Sequence, residues 1–516
     1  MSECNVKKVN ATMKKYIVIL LTFLTSLSVF SGCDSFLDVE NIDELSGNVF
    51  WKDKEDVEGF TLSIYFKLRE AVMQNSAFFP ATGDLRCAPV VPSFGDRQFD
   101  YLRSNDLGTL IAQYYGDYVE ITRWDKLYEV ISSANILLEE VDNMDAGALT
   151  DIDARRYKAE GIFMRNLAYF FLVRLYGDVP YYIEAYNVGS LPRLPMVEVL
   201  QNCSRELEDM LTSDVDASVL PWTYEDASKV SVRAMRGSVI ALMMHINLWL
   251  AGFDENNAST YYSKIVVWGK DITLNGRYEL LDLDRTRAIF SGGSKESLFE
   301  IVQDINSNET FKYDAVFSNY MIPRGLGNNY PRSYYMSDFL TDIYPPAETD
   351  NRATTWFKNI YASDVPINYD DARWFVKFMN TYTDPDGNFT SNKGNQVIFR
   401  YADVLLMYAE ASAKLGGDNE IVALDMLNEV RHRAGAEPAS SSGTELQDAI
   451  YWERVRELIG EGQYFYDLVR THKIYNSAFC YYPISRSTFD KGAWTWPIHK
   501  DALLNNPYMR LNQYWN

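Results

Sequence analysis

Apolar positions recur at steps of three and four through most of the chain, and the clearest run lies between Phe399 and Gly435. Its first half repeats Tyr401, Leu405, Tyr408, Ser412 and Leu415, with alanines at 402, 409, 411 and 413 that let a neighbour come close. Gly416 and Gly417 can take the left-handed backbone that ends a helix. Asp418 can cap the next helix, in which Ile421, Leu424 and Leu427 share one broad side. The pattern predicts an antiparallel helix pair. Neither helix can bury its apolar side alone, so similar neighbours are expected.

The same texture of small residues and large aromatics returns along the chain. From Asp53 it places Val57, Phe60, Ile64 and Leu68 on one side, and it recurs over Tyr118 to Val141, where Trp124, Tyr128 and Ile131 read as core. It covers Ala154 to Tyr176, stopped by Gly177-Asp178-Val179-Pro180, and then Met196 to Leu211, Ser231 to Ala251 and Ser259 to Leu274. This is the texture of tetratricopeptide repeats without a strict period. Past Gly435 a linker from Ser440 to Gly443 leads into a helix crowded with Glu453, Arg454, Arg456, Glu457, Glu461 and Arg470. Opposite charges at that spacing form structural ion pairs more readily than active sites.

Two stretches break the helical pattern. Residues Asn75 to Leu110 fill with Pro, Gly, Asp, Arg and aromatics, and a loop of that length inside a folded protein is functional or disordered; its aromatics argue against disorder. Residues 276–398 alternate short apolar pieces, such as Leu298 to Val302, with loops dense in Tyr, Asn, Gly and Pro. They read as an irregular subdomain inserted before the last helix pair. Within it, Thr383 to Asn388 reads as a turn between two strands. Asn395 stands where a calcium loop would close with Glu. The tail from Ser485 to Asn516 is expected to wrap back over the body.

The first residues change the picture of where the protein works. Lys14 and Lys15 precede an apolar run from Tyr16 to Phe30 that ends in Ser31-Gly32-Cys33, the form of a signal peptide over residues 1–32, with Met13 an alternative start. Ser-Gly-Cys resembles a bacterial lipobox, which makes Cys33 the lipidated first residue of the mature chain and residues 33–52 a leader; plain secretion is the alternative. Dual acylation anchors a protein stably at roughly 0.8 kcal/mol per buried CH₂. Cys87, Cys203 and Cys480 remain, an odd number, so this is no disulfide scaffold.

Composition narrows the partners. Lys plus Arg is 49 against 71 Asp plus Glu, a net charge of −22 over 516 residues, which disfavours nucleic acid and anionic membrane as partners of the bulk surface. The 36 Tyr, 27 Phe and 11 Trp are too many for every ring to be interior. His245, His432, His472 and His499 are scattered with no metal-ligand spacing, and no nucleophile or phosphate motif occurs; neither metal nor cofactor is expected.

Several ordered segments resemble the SusD/RagB family, the surface glycan-binding lipoproteins of Bacteroidota. They are FLDVENIDELSGNVFWKDKEDVEGFTLSIYFKL after Cys33; the helix carrying Trp124, Tyr128, Ile131, Ala134 and Asn135; AEGIFMRNLAYFFLVRLYGDVPYY; and RYADVLLMYAEASAKLG, LNEVRHRAG and ERVRELIGEGQYFYDLVR near the end. The tail departs from the family, since Asn506-Pro507-Tyr508 stands where Gln-Asn-Pro-Gly is usual. The resemblance implies a mainly α fold of four tetratricopeptide-like pairs from eight helices: residues 53–275 with a ligand loop at 75–110, the loop-rich part 276–398 with a few short strands, and residues 399–516. It also implies a non-catalytic, outer-membrane lipoprotein facing the cell exterior that passes glycan to a SusC-like TonB-dependent transporter.

A sugar presents C–H groups that pack on aromatic rings and hydroxyls that need bidentate polar partners. Two stretches supply both. The first holds Asp84, Arg86, Phe94, Asp96, Arg97, Phe99, Tyr101 and Arg103; the second holds Tyr320, Arg324, Asn328, Asn329, Tyr330, Tyr334 and Tyr335, with Trp356 beyond. The arginines suit acidic or neutral sugars alike, and peptide ligands also stay open. Replacing Tyr101 or Tyr334 by Ala is expected to weaken binding without unfolding the protein. A lipid-anchored glycosidase, whose two carboxylates any acidic chain can supply, and a helical scaffold for protein assembly are the alternatives.

Overall fold

Small residues spaced among large rings give helices with one crowded face, and such helices bury that face by stacking on one another. The computed structural model describes residues 50–73, 78–92, 96–303, 333–364, 373–378, 381–383, 390–392, 394–504 and 506–516. Nine long helices dominate them: α1 Lys54–Met73, α2 Asp125–Asn143, α3 Asp151–Tyr176, α4 Met196–Ser213, α5 Arg236–Phe253, α6 Ala258–Asn275, α7 Tyr401–Leu415, α8 Asn419–Arg433 and α9 Gly443–Glu457. The short α10 Tyr464–Arg470 follows. Neighbours in the chain are neighbours in space, from α1 against α2 through α6 against α7 to α7 against α8 and α9. Residues 53–516 make up one unit.

Two long stretches are wholly interior. From Phe163 to Tyr176 every residue of α3 is buried, as is every residue of α5 from Arg236 to Ala251. Among the described residues no single helix is long and apolar enough to cross a membrane. The turn between α7 and α8 is made by Gly416 and Gly417 at φ +69° and +59°, as the sequence predicts. Two details differ. Asp418 makes no side-chain capping bond, and Ile421 is 65% exposed, because Ala423, Leu427 and Val430 form the buried face of α8. Trp124 is half-buried where α2 begins, its ring edge-on to Tyr128 and Tyr176.

Strands are short and occur as antiparallel ribbons: β1 Val90–Pro92 with β3 Ser333–Tyr335, β2 Ser297–Ile301 with β8 Gln396–Arg400, β4 Phe357–Lys358 with β5 Trp374–Phe375, and β6 Thr381–Thr383 with β7 Thr390–Asn392. The last ribbon flanks the expected turn, whose own residues 384–389 lie outside the described set.

The charges crowded into α9 are interior. Arg400 reaches Glu296 at 2.9 Å, Glu457 at 2.8 Å and Glu461 at 2.6 Å, while Arg352 reaches Glu453 at 2.6 Å and Glu457 at 2.9 Å. Arg433 also pairs with Glu457, and Lys377 with Glu461. A second cluster joins Arg454 to Asp403 and Asp467, Arg470 to Glu410 and Asp467, and His245 to Asp403 at 2.7 Å. Desolvating an ion costs several kcal/mol or more, so such sets persist only with nearly every charge paired.

Candidate functional site

The first aromatic stretch turns out to be largely interior, which corrects the expectation of one long exposed loop. Every residue from Phe78 to Val90 is buried. A single π-helical turn, Pro80–Asp84, lies against the 460–462 turn so closely that a side chain on Gly83 would collide with the Gly462 carbonyl. The Gly462 N–H donates to Asp84 Oδ2 at 2.8 Å, while Oδ1 makes no geometric hydrogen bond among the described residues. Burial, with nearby Glu461 adding to it, pushes the Asp84 carboxyl up to about 8. Burial thus favours the neutral form of this interior acid.

Arg86 is interior as well. Its guanidinium donates to Asn105 Oδ1 and to the carbonyls of Ala493 and Trp494, and lies 4.0 Å from the Phe465 ring centroid. Burial lowers it to about 10, still charged near neutrality. Trp356 is 1% exposed, its Nε1 donating to Thr286 Oγ1 at 3.1 Å and its ring 4.1 Å from Lys377 Nζ. Tyr334 and Tyr335 are buried on β3, with Tyr335 packed against Phe339 and Phe375. These five residues, Asp84, Arg86, Tyr334, Tyr335 and Trp356, are therefore not an exposed platform. Tyr334→Ala is a core truncation and no longer a clean test of binding. Phe94, Tyr320, Arg324, Asn328, Asn329 and Tyr330 lie outside the described residues.

The structure does join the two stretches. In the β1–β3 ribbon Val90 faces Tyr335, Val91 faces Tyr334 and Pro92 faces Ser333. Because the strands are antiparallel, the chain leaves β1 at Pro92 and enters β3 at Ser333 at the same end of the ribbon. The Pro89 carbonyl extends the contact by accepting from the Met336 N–H at 2.8 Å.

Beyond that end the chain resumes as a short helix, Gln98–Arg103. Phe99 and Leu102 are buried, which turns the other side outward and leaves Tyr101 partly exposed beside exposed Arg97. The Arg97 guanidinium lies 5.7 Å from the Tyr101 ring centroid, and Tyr101 Oη donates to Gln113 Oε1 at 3.0 Å. Asp96 accepts from Gln98 Nε2 at 2.6 Å. Arg103 donates to the Val90 carbonyl at 3.0 Å, pairs with Asp100 and lies 5.1 Å from the Tyr482 ring centroid. The rim thus combines ring faces with carboxylate, amide and guanidinium groups. Tyr482 and Gln113 were missed by the sequence reading; the one available signal was the Tyr481-Tyr482 pair outside any helical period. Among the described residues no cluster of His, Cys, Asp and Glu is arranged to hold a metal ion. Cys87, Cys203 and Cys480 are free and buried.

A stack of helix pairs joined by short antiparallel ribbons is the architecture shared with solved SusD-fold structures. Residues 273–515 match the SusD family, and residues 90–248 match a family described as starch-binding and associating with the outer membrane. The chain belongs to the SusD family. It is similar to a SusD homolog from Bacteroides thetaiotaomicron VPI-5482, with 47% identity, coverage of 90% of this chain and 100% of that one, and a TM-score of 0.84. SusD-like protein P38 of Formosa agariphila is 25% identical over 537 residues, 97% of this chain and 99% of the relative. A laminarin-binding SusD-like protein shares the fold at 22% identity and a TM-score of 0.65, covering 89% of this chain and 99% of its own.

Proposed function

We propose that the protein is a non-catalytic lipoprotein of the outer membrane, anchored through Cys33, that captures a glycan at the cell exterior and passes it to a SusC-like TonB-dependent transporter. Family membership supports the class, since one matching family is described as starch-binding and associating with the outer membrane, and a relative of the same fold is named for binding laminarin. The observation that carries the site is the β1–β3 ribbon, which brings the segment ending at Pro92 beside the one starting at Ser333. The site is assigned to the rim at that end, Asp96, Arg97, Tyr101 and Arg103; Phe94, Tyr320, Arg324, Asn329 and Tyr330, which lie outside the described residues, complete the proposed ligand set on the strength of the sequence. Tyr101 offers a ring face, while Asp96 and Arg97 offer bidentate partners for hydroxyls.

The test is titration of the detergent-solubilised full chain with neutral and acidic oligosaccharides, together with the Tyr101→Ala variant. Binding of at least one oligosaccharide is expected, weakened about tenfold in the variant, equivalent to about 1.4 kcal/mol, with an unchanged melting temperature. Unaltered affinity would remove the site assignment. Steady release of reducing ends by pure protein would overturn the non-catalytic reading and favour a glycosidase.

A further inference from the structure

Away from the ribbon, a cleft of about 670 Å³ opens where the end of α5, residues 472–475, the short helix Arg486–Asp490 and the tail meet. Its floor is made of rings. Phe253 and Phe489 lie nearly parallel, at 11° with centroids 6.2 Å apart, and His472 stands edge-on to both at 5.8 and 5.3 Å. Tyr475 stacks beside His472 at 5.9 Å. Phe489 is buried, but Phe253, His472 and Tyr475 keep part of their rings open. His472 holds its place with a left-handed backbone, φ +58°, an unfavourable conformation for a residue with a side chain.

The rim is polar and partly unspent. Arg486 is exposed, lies 5.8 Å from the Tyr475 ring centroid and has no ion-pair partner among the described residues; nor has Asp490, on the same short helix. Glu255 approaches His472 Nδ1 at 3.6 Å. Carboxylates outnumber cations in the lining, with Asp178, Asp254, Glu255 and Asp490 against Arg486 and Lys491, so an acidic ligand is disfavoured. A wholly apolar ligand would strip water from Arg486 and Asp490 and offer no bond in return. An uncharged molecule with a C–H face and several hydroxyls satisfies both parts of the lining.

We infer that this cleft is a second saccharide site, taking a neutral sugar unit packed on Tyr475 and His472 with hydroxyls bonded to Arg486 and Asp490. The inference rests on the reading of the protein as a glycan binder, but it uses none of the rim residues. Trp494 of the cleft lining is tied through its carbonyl to Arg86 of the first aromatic stretch. A glycan chain bound at two places gains residence time through effective concentration, without new contacts.

The test uses full-length protein, calorimetry and a fixed panel of neutral probes: maltohexaose, laminarihexaose, xylohexaose and mannohexaose, with an oligogalacturonate as the acidic control. For one neutral probe, Tyr475→Ala and the exposed substitution Arg486→Ala are each expected to weaken a binding event at least fivefold, at unchanged melting temperature. That event should persist in Tyr101→Ala and be absent with oligogalacturonate. If neither cleft variant alters binding of any neutral probe while Tyr101→Ala does, the second site is overturned and the proposed function stands. If Tyr101→Ala and Tyr475→Ala abolish one and the same event, the sites are not separate and the inference also fails. Cleft-dependent binding without a Tyr101 effect would instead refute the rim assignment.

Discussion

Arg400 and Arg97 put one side chain to opposite uses. Arg400 is 2% exposed and held by Glu296, Glu457 and Glu461, whereas Arg97 is exposed beside a partly open tyrosine. Around Glu457 each carboxylate serves several cations at once, so every group is already committed. Around Tyr101 the polar groups lie at or near the surface, Arg97 exposed and Asp96, Tyr101 and Arg103 partly so, in bonds to near neighbours that a ligand can share. The interior set can supply stability and a unique helix register, but not recognition; the rim can supply recognition and has little stability to lose.

Removing one member of the interior set should produce the largest effect. Glu457→Ala leaves Arg352, Arg400 and Arg433 short of a shared partner and is expected to cost about 3–5 kcal/mol, read as a drop in denaturant midpoint. A loss below about 1 kcal/mol would break the comparison. The same group sets an acid limit. Burial raises the Glu457 carboxyl, but Arg433, Arg400 and Arg352 outweigh it and hold the group well below the usual carboxylate range. A depressed value contributes stability that is present above the unfolded value of about 4.3 and is lost as pH falls below it. Unfolding in acid should therefore steepen below about pH 4, less so in Glu457→Gln.

A paired substitution sharpens the contrast within a single stretch. Arg86→Ala takes the donor from Asn105 Oδ1 and from the Trp494 carbonyl in the interior, while Ala493 keeps its bond from Asn105 Nδ2, and should cost about 2–4 kcal/mol. Arg97→Ala should stay within about 0.5 kcal/mol of the parent while weakening glycan binding. Asp84 comes next, with the opposite pH sign to Glu457. Its raised value means stability is fully present below about pH 4 and declines as pH rises toward 8. Asp84→Asn should flatten that slope and gain on the order of 1–2 kcal/mol at pH 8. The smallest effect belongs to exposed pairs: breaking Lys158–Asp142, 2.8 Å apart on the surface, should change stability by less than about 0.5 kcal/mol.

The helix stack was legible because a 3.6-residue period survives in any window long enough to hold a few turns. The charges of α9 were also readable as ion pairs, since their signs and spacing lie within one segment. Their main partners, Glu296, Arg352 and Arg400, were not, because those come from a turn, a short helix and a strand elsewhere in the chain. The same limit explains the mixed placement of the proposed site residues. Whether Arg86 or Arg97 is buried depends on carbonyls at 493 and 494, some four hundred residues on, and no local pattern reports that. Tyr334 and Tyr335 sit on a three-residue strand, too short for alternation to separate inside from outside. Tyr101 and Arg97 are distinguishable from Phe99 only once Gln98–Arg103 is known to be a helix.

The β1–β3 ribbon has an evolutionary consequence. It closes its two flanking segments at a fixed pair, Pro92 opposite Ser333, so insertions or deletions beyond that pair need not propagate into the helices. Closure entropy rises only with the logarithm of length, roughly 0.6 kcal/mol per doubling of a flexible loop. The chain can therefore change in length beyond that pair without altering the register of the ribbon itself.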